Sequence, residues 1–540
     1  MARTPVAKAL RLANLARRPG APPLDELVEM RRESARLGIQ SPWTRRRFLK
    51  TSGAATLALA GGGLLTSCAK LKGAPRIAVV GAGIAGLNAA YQLKKLGHRA
   101  EVYEASRRMG GRVYSVKDVL APGLVTEVGG GFIDGDNEDM FSLAEELGLE
   151  LTDLGGPSES DFYTLYLFGG KHYNDDDLVK AFEPIAERME DDIKALHEAY
   201  RLYEEEGEDG WEKAIPSIAP LDNISVAEYL DRVGATGWVR TYIEVSFTTN
   251  GGLAIDQQTA LTFIDSVNPD GTLYIFDENY GRHKFVEGCQ EVIRGLADRL
   301  DEGQVRLGHR LEAVRSSGEG FTLTFEDPNG AAADVEADFV VMTVPFVLLR
   351  DIEMRMEMPD MKRRAIDEMG YGMNSKLLIG VNKRVWRKQG YFGEVYTDEP
   401  FQEAWDNSQM EGYEGDVGGL TIYSGGQSAF DVGEGTAEEQ VERLMPGLEK
   451  AYPGVSAAYN GNIERFIWPT YPFSMCGYPD YKVGQVTTIA GWEGEPVGNM
   501  FFAGDHCSES LGQINGAAES GRRAAEALAA RLEGKSVSET

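Results

Sequence analysis

The chain has 540 residues, with 55 Lys and Arg against 84 Asp and Glu, and a formal net charge of −29. This length is enough for two or three domains with a sizeable core. So acidic a chain repels the phosphate backbone of nucleic acids, which excludes them as partners. The four Cys are too few for a disulfide framework, and neither they nor the six His show the spacing of metal ligands, so no metal site is expected.

The first predicted element is an export signal. Residues 44–50 read TRRRFLK, in which Arg45 and Arg46 match the ordered pattern of a twin-arginine signal. The Gly-rich apolar run at 51–68 is typical of a signal h-region, because a membrane-spanning helix needs about 20 strongly apolar residues. We therefore expect export by the twin-arginine machinery to the periplasm or the outer surface.

The signal ends in a candidate lipidation site. The residues LTSC resemble a lipobox, in which Cys68 is acylated and becomes the mature N-terminus. A single acyl chain binds a membrane only marginally, while lipoproteins carry more than one. The expectation is membrane attachment through Cys68, and the alternative is an ordinary Cys near a cleavage site.

A nucleotide-binding unit follows the leader. Its predicted elements are, in order, a buried strand at 77–80, a loop with Gly81, Gly83 and Gly86, a helix at 89–96, and a strand that ends at Glu104. The first glycine permits the tight turn, the second lets the backbone approach a pyrophosphate, and the third lets the helix pack on the strand. The helix N-terminus faces the phosphates, and an acid about 20 residues downstream holds ribose hydroxyls.

The residues after this unit carry a family signature. They read EASRRMGGRVYS, with Arg108, the pair Gly110 and Gly111, and Arg112 behind Glu104. A pair of glycines admits backbone close to a cofactor, and a guanidinium such as that of Arg112 can pair with a diphosphate. In this motif the chain resembles the flavin-containing amine oxidase family, which implies an α/β fold and FAD as the cofactor.

The resemblance continues along the chain. TEVGGGFIDG at 126–135 resembles the strand and Gly-rich turn beneath the flavin ring, and MFFAGDHCSESL at 500–511 resembles the C-terminal FAD motif. In that motif Asp505 replaces the usual Glu that holds the ribityl chain, so this contact is expected to go through water. The further cofactor-binding residues that the resemblance implies are Ala85, Gly130, Gly131, Leu311 and Ile514.

The family architecture implies one Rossmann-like FAD domain that the chain enters three times, with an inserted α+β substrate domain. The first insert shows apolar residues at helical spacing, and the second contains the predicted strands SKLLIGV and GGLTIYSGG. The predicted divisions are a leader at 1–67, FAD-domain segments at 68–133, 283–345 and 488–532, a helical insert at 134–282, a substrate domain with a sheet at 346–487, and a tail at 533–540.

The resemblance also implies the chemistry. A neutral amine gives a hydride to flavin N5, the imine is hydrolysed to a carbonyl, and O2 is reduced to H2O2. Lys376 takes the place of the flavin-facing lysine that holds a water at N5, and Tyr478 that of an aromatic residue that flanks the amine. The second aromatic position falls near Gln513. Gly477 stands where monoamine oxidases have a Cys bonded to the flavin, so FAD is expected to be non-covalent.

Two residues beneath the flavin bear on the substrate. Phe132 stands where L-amino-acid oxidases carry an Arg that clamps a carboxylate, and Asp134 where polyamine-type members have an acid. A carboxylate suits a second ammonium, so the expected substrate is a small amine or polyamine. The alternatives are an L-amino-acid oxidase that uses another Arg, a dehydrogenase or desaturase with an acceptor other than oxygen, and a scaffold without flavin.

Export and flavin binding support each other, because a cofactor enclosed by three chain segments must be loaded before export, and the twin-arginine route carries folded proteins. Replacing Arg45 and Arg46 together by Lys should leave flavin-loaded protein in the cytoplasm, whereas Arg47→Lys, at the free position of the motif, should not. Cell fractionation with flavin fluorescence measures the distribution. Continued export of the double variant would contradict the signal.

Overall fold

The structure, a computed structural model, describes residues 74–534 except 157–158, 160–161, 269, 274–279, 411–412, 414 and 509. The predicted signal with Arg45, Arg46 and Cys68 lies outside these residues. Within the described part, no helix has the length and apolar character to cross a membrane. In that same part, no group of His, Cys, Asp and Glu is arranged to hold a metal ion.

Twenty strands and fifteen α-helices make up the described chain. The strands are β1 (Ile77–Val80), β2 (Ala100–Glu104), β3 (Ser115–Lys117), β4 (Val125–Glu127), β5 (Leu151–Asp153), β6 (Tyr163–Phe168), β7 (Lys171–Tyr173), β8 (His283–Phe285), β9 (Val305–Leu307), β10 (Arg310–Ser317), β11 (Gly320–Glu326), β12 (Ala332–Ala337), β13 (Phe339–Met342), β14 (Glu353–Arg355), β15 (Asn374–Val381), β16 (Tyr391–Thr397), β17 (Glu403–Asp406), β18 (Gly418–Gly425), β19 (Tyr459–Ile467) and β20 (Met500–Phe502). The helices are α1 (Ile84–Lys95), α2 (Glu138–Leu147), α3 (Asp175–Glu206), α4 (Glu208–Asp222), α5 (Val226–Arg232), α6 (Gly237–Gly251), α7 (Ala260–Asp265), α8 (Gln290–Asp298), α9 (Phe346–Leu349), α10 (Asp360–Glu368), α11 (Val385–Lys388), α12 (Ser428–Asp431), α13 (Ala437–Ala451), α14 (Val455–Ala458) and α15 (Ile514–Leu532).

A five-stranded parallel sheet with the order β20-β13-β1-β2-β9 forms the first half of the molecule. Its strands come from three separated stretches of the chain, so the sheet is complete only when all three have folded together. Ile77 and Val79 of the central strand face α1, α8 and α15, while Ala78 and Val80 face the four-stranded sheet β12-β11-β10-β14. Cover on both faces explains why this strand is a continuous apolar run.

Helices α1 and α15 cross in close contact behind this sheet. A Cβ at Gly521 would overlap the carbonyl oxygen of Ala85, so the crossing needs glycine there. One turn along, the side-chain amide of Asn88 donates to the carbonyl of Ala518 over 2.7 Å. The contact joins the first and last segments of the nucleotide-binding half, and it places Ala85 against a helix.

A seven-stranded sheet with the order β19-β15-β18-β17-β16-β6-β7 forms the second half. Its two faces bury different layers. Helices α3 to α7 pack on the face that carries Tyr166 and Tyr396, and helices α11, α13 and α14 pack on the face that carries Leu377 and Ile379. Lys376 alternates with Leu377 along β15, so it lies on the face toward α3 to α7.

Mixed α/β architecture is confirmed, but some element and segment boundaries differ from those predicted. Helix α1 begins at Ile84, not near Ala89, because the glycine loop leads straight into it. Helix α2 was assigned to the first insert, yet Met140 and Leu143 belong to the same core as α1 and α15. The predicted helical insert also contains β6 and β7, which complete the seven-stranded sheet. These pairings are set by tertiary contacts that local periodicity does not report.

Candidate active site

The glycine loop is shaped to receive a phosphate. Gly81 has φ +108°, a conformation that L side chains rarely adopt, and a Cβ at Gly86 would overlap the carbonyl of Gly81. At Gly83 a Cβ would meet nothing within 4 Å, so there is open space at the start of α1. Helix α1 has no side-chain cap and no acid in its first turn. Its first N–H groups are therefore placed to meet an anion.

Glu104 stands beside this loop. Its carboxylate accepts the N–H of Ala82 and the N–H of Ser106, each over 2.8 Å, and it is buried. A carboxylate has about four lone-pair sites, so both oxygens can still accept a ribose hydroxyl. The N–H of His309 donates to the Glu104 carbonyl over 2.8 Å, which brings Leu311 at the start of β10 alongside. The residues present therefore fit an adenosine ribose here.

Arg112 and Asp505 meet in an ion pair that sequence reasoning missed. The guanidinium donates to the two carboxylate oxygens over 2.6 and 2.7 Å, and to the Gly477 carbonyl over 2.9 Å. Burial disfavours both charges, but each partner outweighs it for the other, so the pKa of Arg112 is raised and that of Asp505 is lowered. We expected separate contacts, Arg112 to diphosphate and Asp505 to the ribityl chain. In the structure these two side chains pair directly with each other.

The turn after β4 leaves no room for side chains. A Cβ at Gly130 would lie 2.9 Å from the side chain of Ile514, and one at Gly131 would overlap the side chain of Glu127. Ile514 is the first residue of α15, whose N-terminus carries no side-chain cap and no acid in its first turn. The turn and a helix N-terminus thus lie together, an arrangement that stabilises developing negative charge.

Asp134 makes contacts within the protein that its motif did not indicate. Its two carboxylate oxygens accept the N–H of Gly281 over 2.6 Å and the side-chain amide of Gln513 over 3.2 Å. The residue is buried. Asp134 therefore holds three stretches of chain together, and the side chain of Gln513 is part of that contact. The role of Asp134 toward a distal ammonium stays a prediction.

Lys376 reaches from the seven-stranded sheet to the turn. Its Nζ donates to the carbonyl of Gly129 over 2.5 Å and to that of Glu127 over 3.1 Å. Burial lowers the pKa of this amine to about 8. The Nζ also lies 5.4 Å from the ring centre of Trp405 and 5.9 Å from that of Tyr423. The side chain thus sits between the Gly-rich turn and an aromatic surface.

Four aromatic rings form that surface. Phe132 packs edge-on against Trp405 at 5.7 Å between ring centres, and Trp405 packs likewise against Tyr423 at 5.2 Å. The hydroxyls of Tyr423 and Tyr478 are 3.0 Å apart, and Tyr478 also donates to the carbonyl of Thr249 over 2.8 Å. The aromatic partner of Tyr478 is therefore Tyr423, on the predicted strand GGLTIYSGG, and not a residue at Gln513. Sequence reasoning missed Trp405 and Tyr423, since only the strand pairing brings them beside Lys376.

The glycine loop, Glu104, and a buried lysine between a Gly-rich turn and aromatic rings define a dinucleotide-dependent oxidoreductase of the flavin type. Residues 84–529 match the family model described as flavin containing amine oxidoreductase. Because this match covers well over half of the chain, the protein belongs to that family. As a member it uses a flavin cofactor and is an oxidoreductase that acts on the carbon–nitrogen unit of amines.

Several known proteins are similar to this chain. The flavin-containing amine oxidase of Danio rerio is 23% identical over 459 residues, which cover 83% of this chain and 84% of that protein. The pseudooxynicotine dehydrogenase of a Pseudomonas species is 24% identical, with coverage of 91% and 97%. Among solved structures, putrescine oxidase bound to putrescine has a TM-score of 0.70 at 22% identity, covering 85% of this chain and 99% of that one. Cyclohexylamine oxidase from Brevibacterium oxydans has a TM-score of 0.72 at 21% identity, covering 85% and 100%. These structures share the fold.

Asp505→Asn leaves the guanidinium of Arg112, whose side chain is 22% exposed, without its counter-charge. The free energy of unfolding at neutral pH should therefore fall by up to about 3–5 kcal/mol, the cost of breaking a fully buried pair. Because the pKa of Asp505 is lowered in the folded state, this deficit is complete above about pH 4, the ordinary pKa of Asp, and shrinks as pH falls through the lowered value. Thermal unfolding followed by flavin fluorescence across pH measures the difference.

Two controls accompany this test. Asp505→Glu keeps the charge and should recover most of the loss. Asp301→Asn removes an exposed partner of Lys94 and Arg99, whose attraction is screened by water, so it should change the stability far less. Equal stabilities of Asp505→Asn and Asp301→Asn would show that the Arg112–Asp505 pair does not hold the fold.

Proposed function

We propose that the protein is an amine oxidase with non-covalent FAD that converts a small amine to a carbonyl compound and reduces O2 to H2O2. The observation that carries this is the position of Lys376, which donates to the carbonyls of Glu127 and Gly129 and faces Trp405 and Tyr423. One buried amine thus borders both the cofactor side and the substrate side of the site.

The chemistry requires little from the side chains. Bound FAD would supply the redox chemistry, by accepting a hydride from the C–H next to the nitrogen of a neutral amine and passing two electrons and two protons to O2. The nitrogen would release a proton, and water would convert the imine to a carbonyl and ammonia or a smaller amine. Tyr423 and Tyr478 orient the amine by their aromatic faces. Lys376, with a pKa lowered to about 8, can hold a water by a hydrogen bond while it is charged or neutral.

The surroundings of the pocket favour an amine over an α-amino acid. A carboxylate clamp needs an Arg with uncommitted donors. Arg112 is paired with Asp505, and Arg108 donates to the carbonyls of Met109, Gly111 and Val113. The third arginine of this loop, Arg107, is exposed to solvent. Phe132, where a clamp would stand, packs on Trp405. This supports amine oxidation over the L-amino-acid alternative.

We also propose that the flavin-loaded protein is exported by the twin-arginine route and acylated at Cys68. The ordered motif with Arg45 and Arg46 supports export. The fold adds a physical reason, because β1, β13 and β20 come from three stretches of chain and must pair before a cofactor is enclosed. A route for folded proteins meets that requirement.

The flavin should be released completely by acid. Gly477 has no side chain to bond, and a Cβ there would overlap Asn374. The neighbouring Cys476 is fully buried, and burial raises the pKa of its thiol to about 12, which keeps it an unreactive thiol. Acid precipitation should therefore leave colourless protein and yellow supernatant. Colour that stays with the precipitate would indicate a covalent bond.

Lys376→Met should slow the reoxidation of reduced flavin by O2 about a hundredfold or more, because it removes the group that holds water beside the reacting centre. It should change the affinity for substrate much less.

A panel of amines and L-amino acids with peroxide detection identifies the best substrate, and stopped-flow absorbance then separates flavin reduction from reoxidation. Lys388→Met, an exposed lysine on α11, is the control. Unchanged reoxidation would remove Lys376 from the site, and an absence of peroxide with every amine would overturn the oxidase.

A further inference from the structure

A row of side chains crosses the seven-stranded sheet level with Lys376. In the antiparallel register Lys376 lies opposite Tyr423, Tyr423 opposite Glu403, and Glu403 opposite Tyr396. Directly opposite residues point to the same face of a sheet. Neighbouring strands are about 4.8 Å apart, so Glu403 stands roughly 10 Å from Lys376 across the sheet, with Tyr423 between them.

Glu403 is a buried acid with an unused acceptor. It is 4% exposed, and its Oε2 has no hydrogen-bond partner among the residues that the structure describes. Burial and the nearby charge of Glu394 raise the pKa of Glu403 to about 7, although the hydroxyls of Thr249 and Tyr396 favour its charged form. A buried carboxylate in this position is costly unless a cation joins it.

A second acid stands on the neighbouring strand. Glu394 of β16 is buried, its Oε2 accepts the hydroxyl of Thr164 over 2.9 Å, and its Oε1 lies 3.5 Å from the hydroxyl of Tyr396. Glu394 and Tyr396 alternate with Val395, so both lie on the face that carries Glu403. A cation beside these two carboxyls would offset the repulsion that Glu394 exerts on the charged form of Glu403.

The path from Lys376 to these acids is aromatic. Tyr423 stands directly between, Trp405 packs on Tyr423, and the hydroxyl of Tyr478 meets that of Tyr423. Aromatic faces accept both an alkyl chain and an ammonium group. At the far end Tyr242 packs edge-on against Tyr396 at 5.4 Å. The side chains between Lys376 and the two acids are thus aromatic.

We propose that Glu403, backed by Glu394, binds a second ammonium of the substrate while the first amine reacts beside Lys376. The substrate class is then aliphatic diamines and polyamines, with the alkyl chain lying along Tyr423. This deepens the proposed function and rests on it, because it takes Lys376 to mark the reacting end. It moves the acidic subsite from Asp134, whose carboxylate holds Gly281 and Gln513, to the sheet.

The first test uses the unmodified flavin-loaded protein. Straight-chain diamines are compared with monoamines of the same chain length by kcat/KM from peroxide formation. A charge-assisted contact predicts a preference for the best diamine of about 10- to 150-fold. Oxidation of monoamines with no preference for any diamine would overturn the subsite and leave the oxidase standing, whereas oxidation of no amine would overturn both.

The second test locates the contact. Glu403→Gln should abolish the preference by lowering kcat/KM for the diamine about 10- to 150-fold, with little change for the monoamine. Glu403→Asp, which keeps the charge, should retain part of the preference, and Glu442→Gln on the exposed face of α13 should retain all of it. The flavin absorbance and the thermal midpoint show that each variant is folded. If Glu403→Gln does not fold, the comparison of wild type with Glu403→Asp decides. Equal losses for both substrates would overturn the subsite.

Discussion

The partly buried pair between Arg112 and Asp505 is the contact on which the nucleotide-binding half depends, because it joins residues 393 positions apart in the chain. Taking two charges out of water is expensive, and the arrangement is stable only because the guanidinium and carboxylate meet in a two-pronged contact with a third bond to Gly477. Asp505 follows β20 and Arg112 follows the glycine loop. The pair therefore joins the first and last chain segments of the nucleotide-binding half. Gly477 directly precedes Tyr478, which links this pair to the aromatic surface beside Lys376.

The pocket itself exists only at the junction of the two halves. Its lysine comes from the seven-stranded sheet, while the carbonyls of Glu127 and Gly129 that accept from it come from the turn beside the nucleotide-binding sheet. Burial at this junction also lowers the pKa of Lys376. The same packing therefore fixes the orientation of the lysine side chain and makes its ammonium group more acidic. The Gly-rich turn can approach the lysine and Ile514 this closely because Gly130 and Gly131 carry no side chains.

The charges of the site are arranged along the sheet. Lys376 lies at one end of the row, Tyr423 in the middle, and Glu403 and Glu394 at the other end. Strand spacing and register set the distances between them. Paired strands hold these distances more rigidly than a loop would. The proposed subsite would therefore select substrates by the distance between their two nitrogens. An acidic body of this kind also draws cationic molecules toward it, which is consistent with a substrate that carries positive charge.

Local sequence pattern alone determined the nucleotide-binding unit. One continuous stretch contains the apolar run of β1, the glycines at 81, 83 and 86, and Glu104 at the end of β2. Each of these residues acts through its own backbone or through neighbours in the same stretch. The position of Lys376 was likewise predicted from a family motif around it. The partners were decided only by tertiary structure. No motif indicated that Asp134 holds Gly281 and Gln513, or that Arg112 pairs with Asp505. Trp405, Tyr423 and Glu403 carry no motif, because they become neighbours of Lys376 only through strand register, which pairs residues far apart in the chain and leaves no local trace in the sequence.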